Sequence, residues 1–447
     1  MVAALPCSWS RAPEETGKTK VAIDCVGYIF LHDPNFNKKV LVISPSSVVP
    51  VWQNEFNDHA NYPCEIKPLT GPSVKRIDAL ESWKVNSDAV NVAIINYESS
   101  WRISDELTTW KPDVLILDEM QRVKTPGTRQ SKATHLIAAK CRYRLGLSGT
   151  PVTQSPLDLF SEYKALDPSI FGRSYYSFRN HYAIMGGFQR HQVVAFKNLP
   201  ELVEKAHRIA FRVTKEEALD LPEFTDQTIY CELEPKAQRL YDQMKKTSVM
   251  EMESEKSITA VNVLAKLLRL SQITGGFIPD PEDGRPEMVS SAKYDLLRET
   301  VSDLLDAGKK VVVFARFVPE IKAICRYLDN ANIRYSLIMG EVPQDQRGEM
   351  VRQFQEDPQV KVFVAQIQTA GLGITLTAAD TAIFYSLDYS FANYDQARCR
   401  IHRIGQKNAC TYIHLIAQGT VDEKIMAALK QKKSVADMVV DGWRDMF

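Results

Sequence analysis

The 447-residue sequence predicts two parallel-sheet α/β lobes joined by a helical insert, on three observations. Short apolar runs alternate with amphipathic stretches from Lys39 onward, the alternation lapses between about Pro156 and Pro286, and it returns from Lys293 to the final helix. A chain of this length exceeds one ordinary hydrophobic core, which fits a division into residues 1–155, 156–290 and 291–447.

In the first lobe, Val40-Leu41-Val42-Ile43 is a strand run ended by Ser44-Pro45. Val92 to Ile95 and Val114 to Leu117 repeat it, and Arg144 to Leu147 is a weaker version. Amphipathic segments such as Gln130 to Ala139 separate the runs. Between Pro156 and Pro286 longer segments with helical spacing take over. There Leu264, Leu267, Leu268 and Ile273 read as a core face, and the charge-rich Asp242 to Ser257 reads as a solvated helix or loop. Pro279 to Pro286 is a loop by composition. In the second lobe, the spacing predicts helices over 293–306, 318–329 and 344–354. Strands are predicted over 311–314, 335–339, 360–364, 382–385 and 412–416. A last helix begins at Thr420, where Glu423 completes a capping box.

Composition narrows the class. Hydrophobic residues at 45%, charged residues at 25% and a formal net charge of zero describe a soluble globular protein and argue against one that coats nucleic acid through global charge. A local basic groove stays open. The eight cysteines have no Cys-x-x-Cys pair and no histidine at metal-ligand spacing, so reduced thiols in a cytoplasmic protein are expected. No apolar run reaches membrane-spanning length.

Three stretches carry chemistry. Thr16-Gly17-Lys18-Thr19 has the ending of a phosphate-binding loop, in which backbone N–H groups and a helix dipole hold phosphates, the lysine reaches the outer ones and the hydroxyl takes Mg²⁺. Asp118-Glu119 follows an apolar run: Asp118 suits Mg²⁺ and Glu119 suits orienting and deprotonating a water. Gln396 to Gln406 carries Arg400 and Arg403 three apart, which on a helical turn aims two guanidinium forks at one polyanion. These stretches imply a nucleotide held between two domains that close on it.

Taken in order with Ile43-Ser44-Pro45, Asn96-Tyr97-Glu98, Ser148-Gly149-Thr150-Pro151 and Thr369-Ala370-Gly371-Leu372-Gly373, the motifs resemble those of the Swi/Snf-type branch of the superfamily-two helicases. The ending Arg403-Ile404-Gly405-Gln406 is particular to that branch, and Phe211 to Lys215 with Leu221-Pro222 resembles its interlobe segment. The likeness runs from about Thr16 to Leu429. It implies two RecA-like lobes and an ATPase that translocates along double-stranded DNA, usually without separating strands. By position, Lys18, Thr19 and Asp118 would bind Mg-ATP, Glu119 would be the base, and Arg400 and Arg403 the arginine fingers. Gln396 would contact the nucleotide or hold the motif. Ser148 and Thr150 would couple hydrolysis to lobe movement. Ser44, Pro45, Asn96, Tyr97, Thr369 and Gly371 would line the DNA path. His402 is expected to pack or bond across the lobe interface rather than move protons.

The sequence departs from that pattern at its start. Glu15 stands where the family's loop has its first glycine, and Met1 to Glu14 resembles neither the family's adenine-recognising stretch nor its helix. The expectation is a true start further upstream. Met120-Gln121 replaces the family's usual Ala-His. Two other readings stay open: a non-hydrolysing DNA-binding scaffold on a motor fold, and an RNA helicase. The absence of a recognisable added module suits a phage or bacterial protein.

Overall fold

Strands buried on both faces need an apolar side chain at nearly every position, and the central strands of this protein meet that demand. The computed structural model describes residues 7–11, 17–149, 151–186, 192–212, 220–254, 260–280, 284–372 and 374–441. The chain divides into two compact units, residues 1–220 with 432–447, and residues 221–431. The stretch 156–290 is thereby shared between them. Thr16, Thr150, Glu15, 213–215 and Gly373, all singled out above, lie outside the described residues.

In the first unit the strands are β1 (Cys7–Arg11), β2 (Lys39–Ser44), β3 (Cys64–Pro68), β4 (Val90–Asn96), β5 (Val114–Asp118), β6 (Tyr143–Ser148), an antiparallel hairpin of β7 (Ala183–Gly186) and β8 (Gln192–Phe196), and β9 (Ala210–Arg212). Seven of them make one sheet in the order β3-β4-β2-β5-β6-β1-β9, with every pairing parallel. Val40 to Ile43, Val92 to Ile95 and Val114 to Ile116 have no exposed surface. Ile23 and Val26 of helix Lys18–His32, with Trp52 and Phe56 of helix Val49–His59, pack into the same core. In register, Ser44 lies opposite Asn96, Asp118 opposite Leu147 and Ser148 opposite Arg11. The strands of a parallel sheet all end at one edge, so these motif residues share that edge, where open α/β sheets bind ligands.

In the second unit the strands are β10 (Phe224–Cys231), β11 (Phe277–Pro279), β12 (Pro286–Met288), β13 (Val311–Ala315), β14 (Tyr335–Ile338), β15 (Val362–Gln366), β16 (Thr381–Phe384) and β17 (Cys410–Ala417). Six form a second parallel sheet in the order β10-β17-β16-β13-β15-β14. Strands β11 and β12 pair as a hairpin around the Pro-rich loop. Both sheets have the predicted class.

The helical reading of 156–286 needs correction. Strands β9 and β10 leave this stretch to join the edges of the two sheets. They carry no apolar run because an edge strand keeps one side in water, and Phe224 to Gln227 are exposed. Among the described positions of helix Ala260–Thr274, Leu270, Ser271, Ile273 and Thr274 are buried, whereas Leu268 is exposed. At the last helix, Thr420 Oγ1 accepts from Asp422 N at 3.3 Å, but Glu423 bonds the N–H of Gly419 at 3.0 Å instead of closing the predicted box.

Candidate functional site

Helix Lys18–His32 starts at Gly17, whose φ of +79° is a left-handed conformation that favours glycine. Its N-terminus has no side-chain cap and no acidic residue in the first turn. Among the described residues no side chain caps these first N–H groups, and the positive dipole end suits an anion. Lys18 points its ammonium inward: Nζ is buried and has no hydrogen-bond partner among the described residues. It lies beside Gly149, 3.6 Å from where a Cβ on that glycine would sit. Thr19 is half-buried on the same first turn.

The acidic pair stands at the end of β5. Burial, reinforced by the neighbouring Glu119 carboxylate, pushes Asp118 up to about 6, against the indole N–H of Trp52 and the charge of Lys18. Trp52 Nε1 donates to Asp118 Oδ2 at 2.9 Å, and Tyr97 OH donates to the Asp118 carbonyl at 2.9 Å. Glu119 adopts φ +51°, ψ +53°, a left-handed conformation uncommon outside glycine and costing roughly 1–3 kcal/mol. Gln121 Nε2 holds Glu119 Oε2, while Gln121 Oε1 accepts from Ser148 Oγ at 2.7 Å. One amide thus links the end of β6 to the acidic pair, in the position where the sequence departs from Ala-His.

The residues expected to line a nucleic-acid path divide into two kinds. Ser44 and Tyr97 have no exposed surface. Ser44 Oγ turns onto the Pro45 carbonyl at 3.3 Å, and Tyr97 ties the turn after β4 to the end of β5, so these two side chains shape the edge rather than face solvent. Pro45 and Asn96 cap the strand ends beside them, and Asn96 Oδ1 is buried without a partner among the described residues. In the second unit, Thr369 and Gly371 belong to the 3-10 turn Ile367–Leu372, with Thr369 Oγ1 donating to the Gln366 carbonyl at 2.6 Å.

The arginine segment differs from its predicted local geometry. Helix Phe391–Arg398 carries Gln396, half-buried, but ends before the two arginines. Arg400 and Arg403 sit in the turns that follow, so helical spacing does not align them. Arg400 is fully buried, and its carbonyl accepts from Leu376 N at 2.9 Å. Arg403 Nη1 donates to the Ile374 carbonyl at 2.8 Å. Gln406 knots the turn: its Nε2 reaches the carbonyls of Ala379 and Ile401 at 2.8 and 3.0 Å, and its Oε1 accepts from two backbone N–H groups. His402 Nε2 donates to the Pro222 carbonyl at 2.7 Å, a bond inside its own unit.

Three structural residues escaped the sequence reading: Trp52, Arg398 and Gln406 in its knotting role. Each works through a contact distant along the chain, and only Gln406 carried a motif signal.

Comparison with known proteins finds two successive family matches. The model of the SNF2-related domain matches residues 15–275, and that of the helicase conserved C-terminal domain matches residues 292–405. An uncharacterized ATP-dependent helicase of Mycoplasma genitalium is 25% identical over 396 residues, covering 88% of this chain and 36% of its own length. A DNA annealing helicase and endonuclease of Mus musculus is 30% identical over 348 residues, covering 76% of this chain and 31% of its own. The chain thus spans about a third of the length of these two relatives. The solved SWI2/SNF2 ATPase core of Sulfolobus solfataricus in complex with dsDNA is 26% identical, with 98% of this chain and 89% of that one covered at a TM-score of 0.43. No described helix is long and apolar enough to cross a membrane. With the SNF2-related match alone taking in more than half of its residues, this chain belongs to the SNF2 family of ATP-dependent helicases.

Proposed function

We propose that this protein hydrolyses ATP on DNA and uses the cycle to translocate along the duplex without strong strand separation. The observation that carries this reading is the buried ammonium of Lys18, which has no hydrogen-bond partner among the described residues, at the N-terminus of helix Lys18–His32 and near the Asp118 carboxylate that ends β5. An orphaned buried cation is costly, and a bound triphosphate supplies the missing partner.

On this reading Thr16, Gly17 and Lys18 hold the phosphates, and Thr19 and Asp118 are the side chains that would hold Mg²⁺, which supplies charge neutralisation on the phosphate oxygens. Glu119, held by Gln121, orients the attacking water and takes its proton as the γ-phosphoryl group passes from ADP to the water oxygen. Arg400 and Arg403 complete the charge stabilisation when residues 291–447 close on residues 1–155, with 156–290 as the insert between them. Gln396 steadies the arginine segment or meets the nucleotide. Ser148 couples hydrolysis to lobe movement through Gln121, and Thr150 shares that coupling role. The turns bearing Ser44, Pro45, Asn96, Tyr97, Thr369 and Gly371 follow the DNA backbone, so grip is independent of base sequence and weakens steeply with salt. Localisation in a bacterial or phage-infected cytoplasm accompanies this reading.

Phosphate release measured with double-stranded DNA, single strands and RNA tests it, with Glu119→Gln as the blank. Release stimulated above all by duplex DNA and absent from the blank is expected. Equal release with and without nucleic acid, or stimulation by RNA alone, would overturn it.

A further inference from the structure

A third arginine, Arg398, lies two residues before Arg400 and is fully engaged. Its Nη1 and Nη2 donate to the two carboxylate oxygens of Asp226, both at 3.0 Å, and Nη1 also donates to Tyr394 OH at 2.9 Å. The guanidinium carbon stands 4.2, 5.0 and 5.4 Å from the ring centroids of Tyr412, Phe224 and Tyr394. A planar fork with a bidentate carboxylate on its edge and aromatic rings around it is a fixed anchor, beyond what lysine or glutamine reproduces. Only 12% of the Arg398 side chain is exposed.

The anchor joins particular pieces of chain. Asp226 and Phe224 belong to β10, the strand with which the chain starts the second unit at Leu221. Two further bonds lie on either side. His402 donates to the Pro222 carbonyl, and His414 links Gln227 to Tyr394, with its Nδ1 donating to the Gln227 carbonyl at 3.2 Å and its Nε2 accepting from Tyr394 OH at 2.9 Å. Arg398 and His402 thus bond Asp226 and Pro222 directly, and Tyr394 reaches Gln227 through His414. The segment bearing Arg400 and Arg403 is attached to the first strand after the chain crosses from one unit to the other.

We propose that Arg398 is a positioning residue, and that its clamp on Asp226 holds the turn bearing Arg400 and Arg403 in register with β10. The inference rests on the proposed hydrolysis for its catalytic consequence, but its structural content is independent of it. A displacement of about 1 Å in a charge-stabilising group is worth roughly 100-fold in rate. Loss of the clamp is therefore expected to slow turnover without removing a charge-stabilising side chain.

Asp226→Asn tests this directly, because it removes the charge from an exposed edge position and leaves the shape. Arg398→Lys is the companion, keeping charge while losing the fork. Hydrogen exchange on the full chain is expected to show the amides of Leu376, His402 and Gln406 exchanging about tenfold or more faster in both variants, with β13 and β15 unchanged as the folding control. In DNA-stimulated turnover, kcat is expected to fall roughly 10- to 100-fold with the KM for ATP little changed. Unchanged protection of those three amides in both variants would overturn the proposal, as would loosened amides with wild-type kcat. A wild-type protein without DNA-stimulated turnover would defeat the proposed function, while the exchange experiment would still decide the clamp.

Discussion

Replacing Lys18 by methionine separates a ligand-binding cation from a structural one. Removing one partner of a buried ion pair costs about 3–5 kcal/mol, because the other charge is stranded. Lys18 Nζ has no hydrogen-bond partner among the described residues, and its electrostatic neighbour Asp118 can take up a proton when the cation goes. Burying an unsatisfied polar group carries a penalty of about 1–3 kcal/mol, which the methionine abolishes while keeping the aliphatic stem. The two effects oppose, so the nucleotide-free variant is expected within about 1 kcal/mol of wild type, or roughly 2–4 °C in Tm. ATP with Mg²⁺ at 100 times the dissociation constant is expected to stabilise wild type by about 2.7 kcal/mol and the variant not at all. Thermal melts with and without nucleotide read both numbers. A nucleotide-free loss beyond about 3 kcal/mol, or a ligand-induced shift that survives in the variant, would refute the reasoning.

Further outcomes follow from the same geometry. Trp52→Phe keeps an aromatic side chain, smaller by the pyrrole ring, and removes the N–H that reaches Asp118 Oδ2. The Mg²⁺ concentration needed for half-maximal binding of a fluorescent ATP analogue is expected to rise about three- to tenfold, matching a charged hydrogen bond near 1 kcal/mol, while metal-free binding stays constant; equal changes in both would contradict it. Glu162, buried in helix Leu159–Leu166 with neither carboxylate oxygen partnered among the described residues, is pushed far above the usual carboxylate range by burial. Its folded form keeps a proton that the unfolded chain loses above pH about 4.5, so wild-type stability falls as pH rises. Glu162→Leu is expected to be more stable, by an advantage that grows from that pH upward; a pH-independent difference in chemical denaturation would argue otherwise. His414 is held down to about 4 by burial, from an ordinary 6.5. The unfolded chain then binds a proton that the folded unit refuses between those values, so stability present above pH 6.5 is lost as pH falls toward 4, by about 3 kcal/mol at most. Acid titration of His414→Gln is expected to lack that slope, and an identical slope would exclude His414 as its source.

The sheets were readable wherever a strand is covered on both faces. Val40 to Ile43, Val114 to Leu117 and Val311 to Phe314 have to be apolar throughout, and that uniformity is visible without coordinates. β9 and β10 were not, because edge strands such as Phe224 to Cys231 mix exposed polar and apolar positions. The acidic pair and the lysine stood out because Gly-Lys-Thr and a strand-ending Asp-Glu are patterns of residue type and spacing that phosphate chemistry imposes where it is used. Their supports were not: Trp52 is 66 residues from Asp118, and Asp226 is 172 from Arg398, so no local pattern announces either bond. Helical spacing misplaced Arg400 and Arg403 because the helix stops at Arg398, where Gln406 and Ile374 gather the chain into a turn instead.

The proposed action of the arginine segment on a bound nucleotide is tested most directly by single-turnover hydrolysis of bound ATP in Arg403→Ala, with duplex DNA present. An arginine finger is worth roughly 10³ to 10⁵ in rate, about 4 to 7 kcal/mol, so the rate constant is expected to fall by at least about a thousandfold while the affinity for ATP changes little. A rate constant within about threefold of wild type, at saturating nucleotide and DNA, would contradict it.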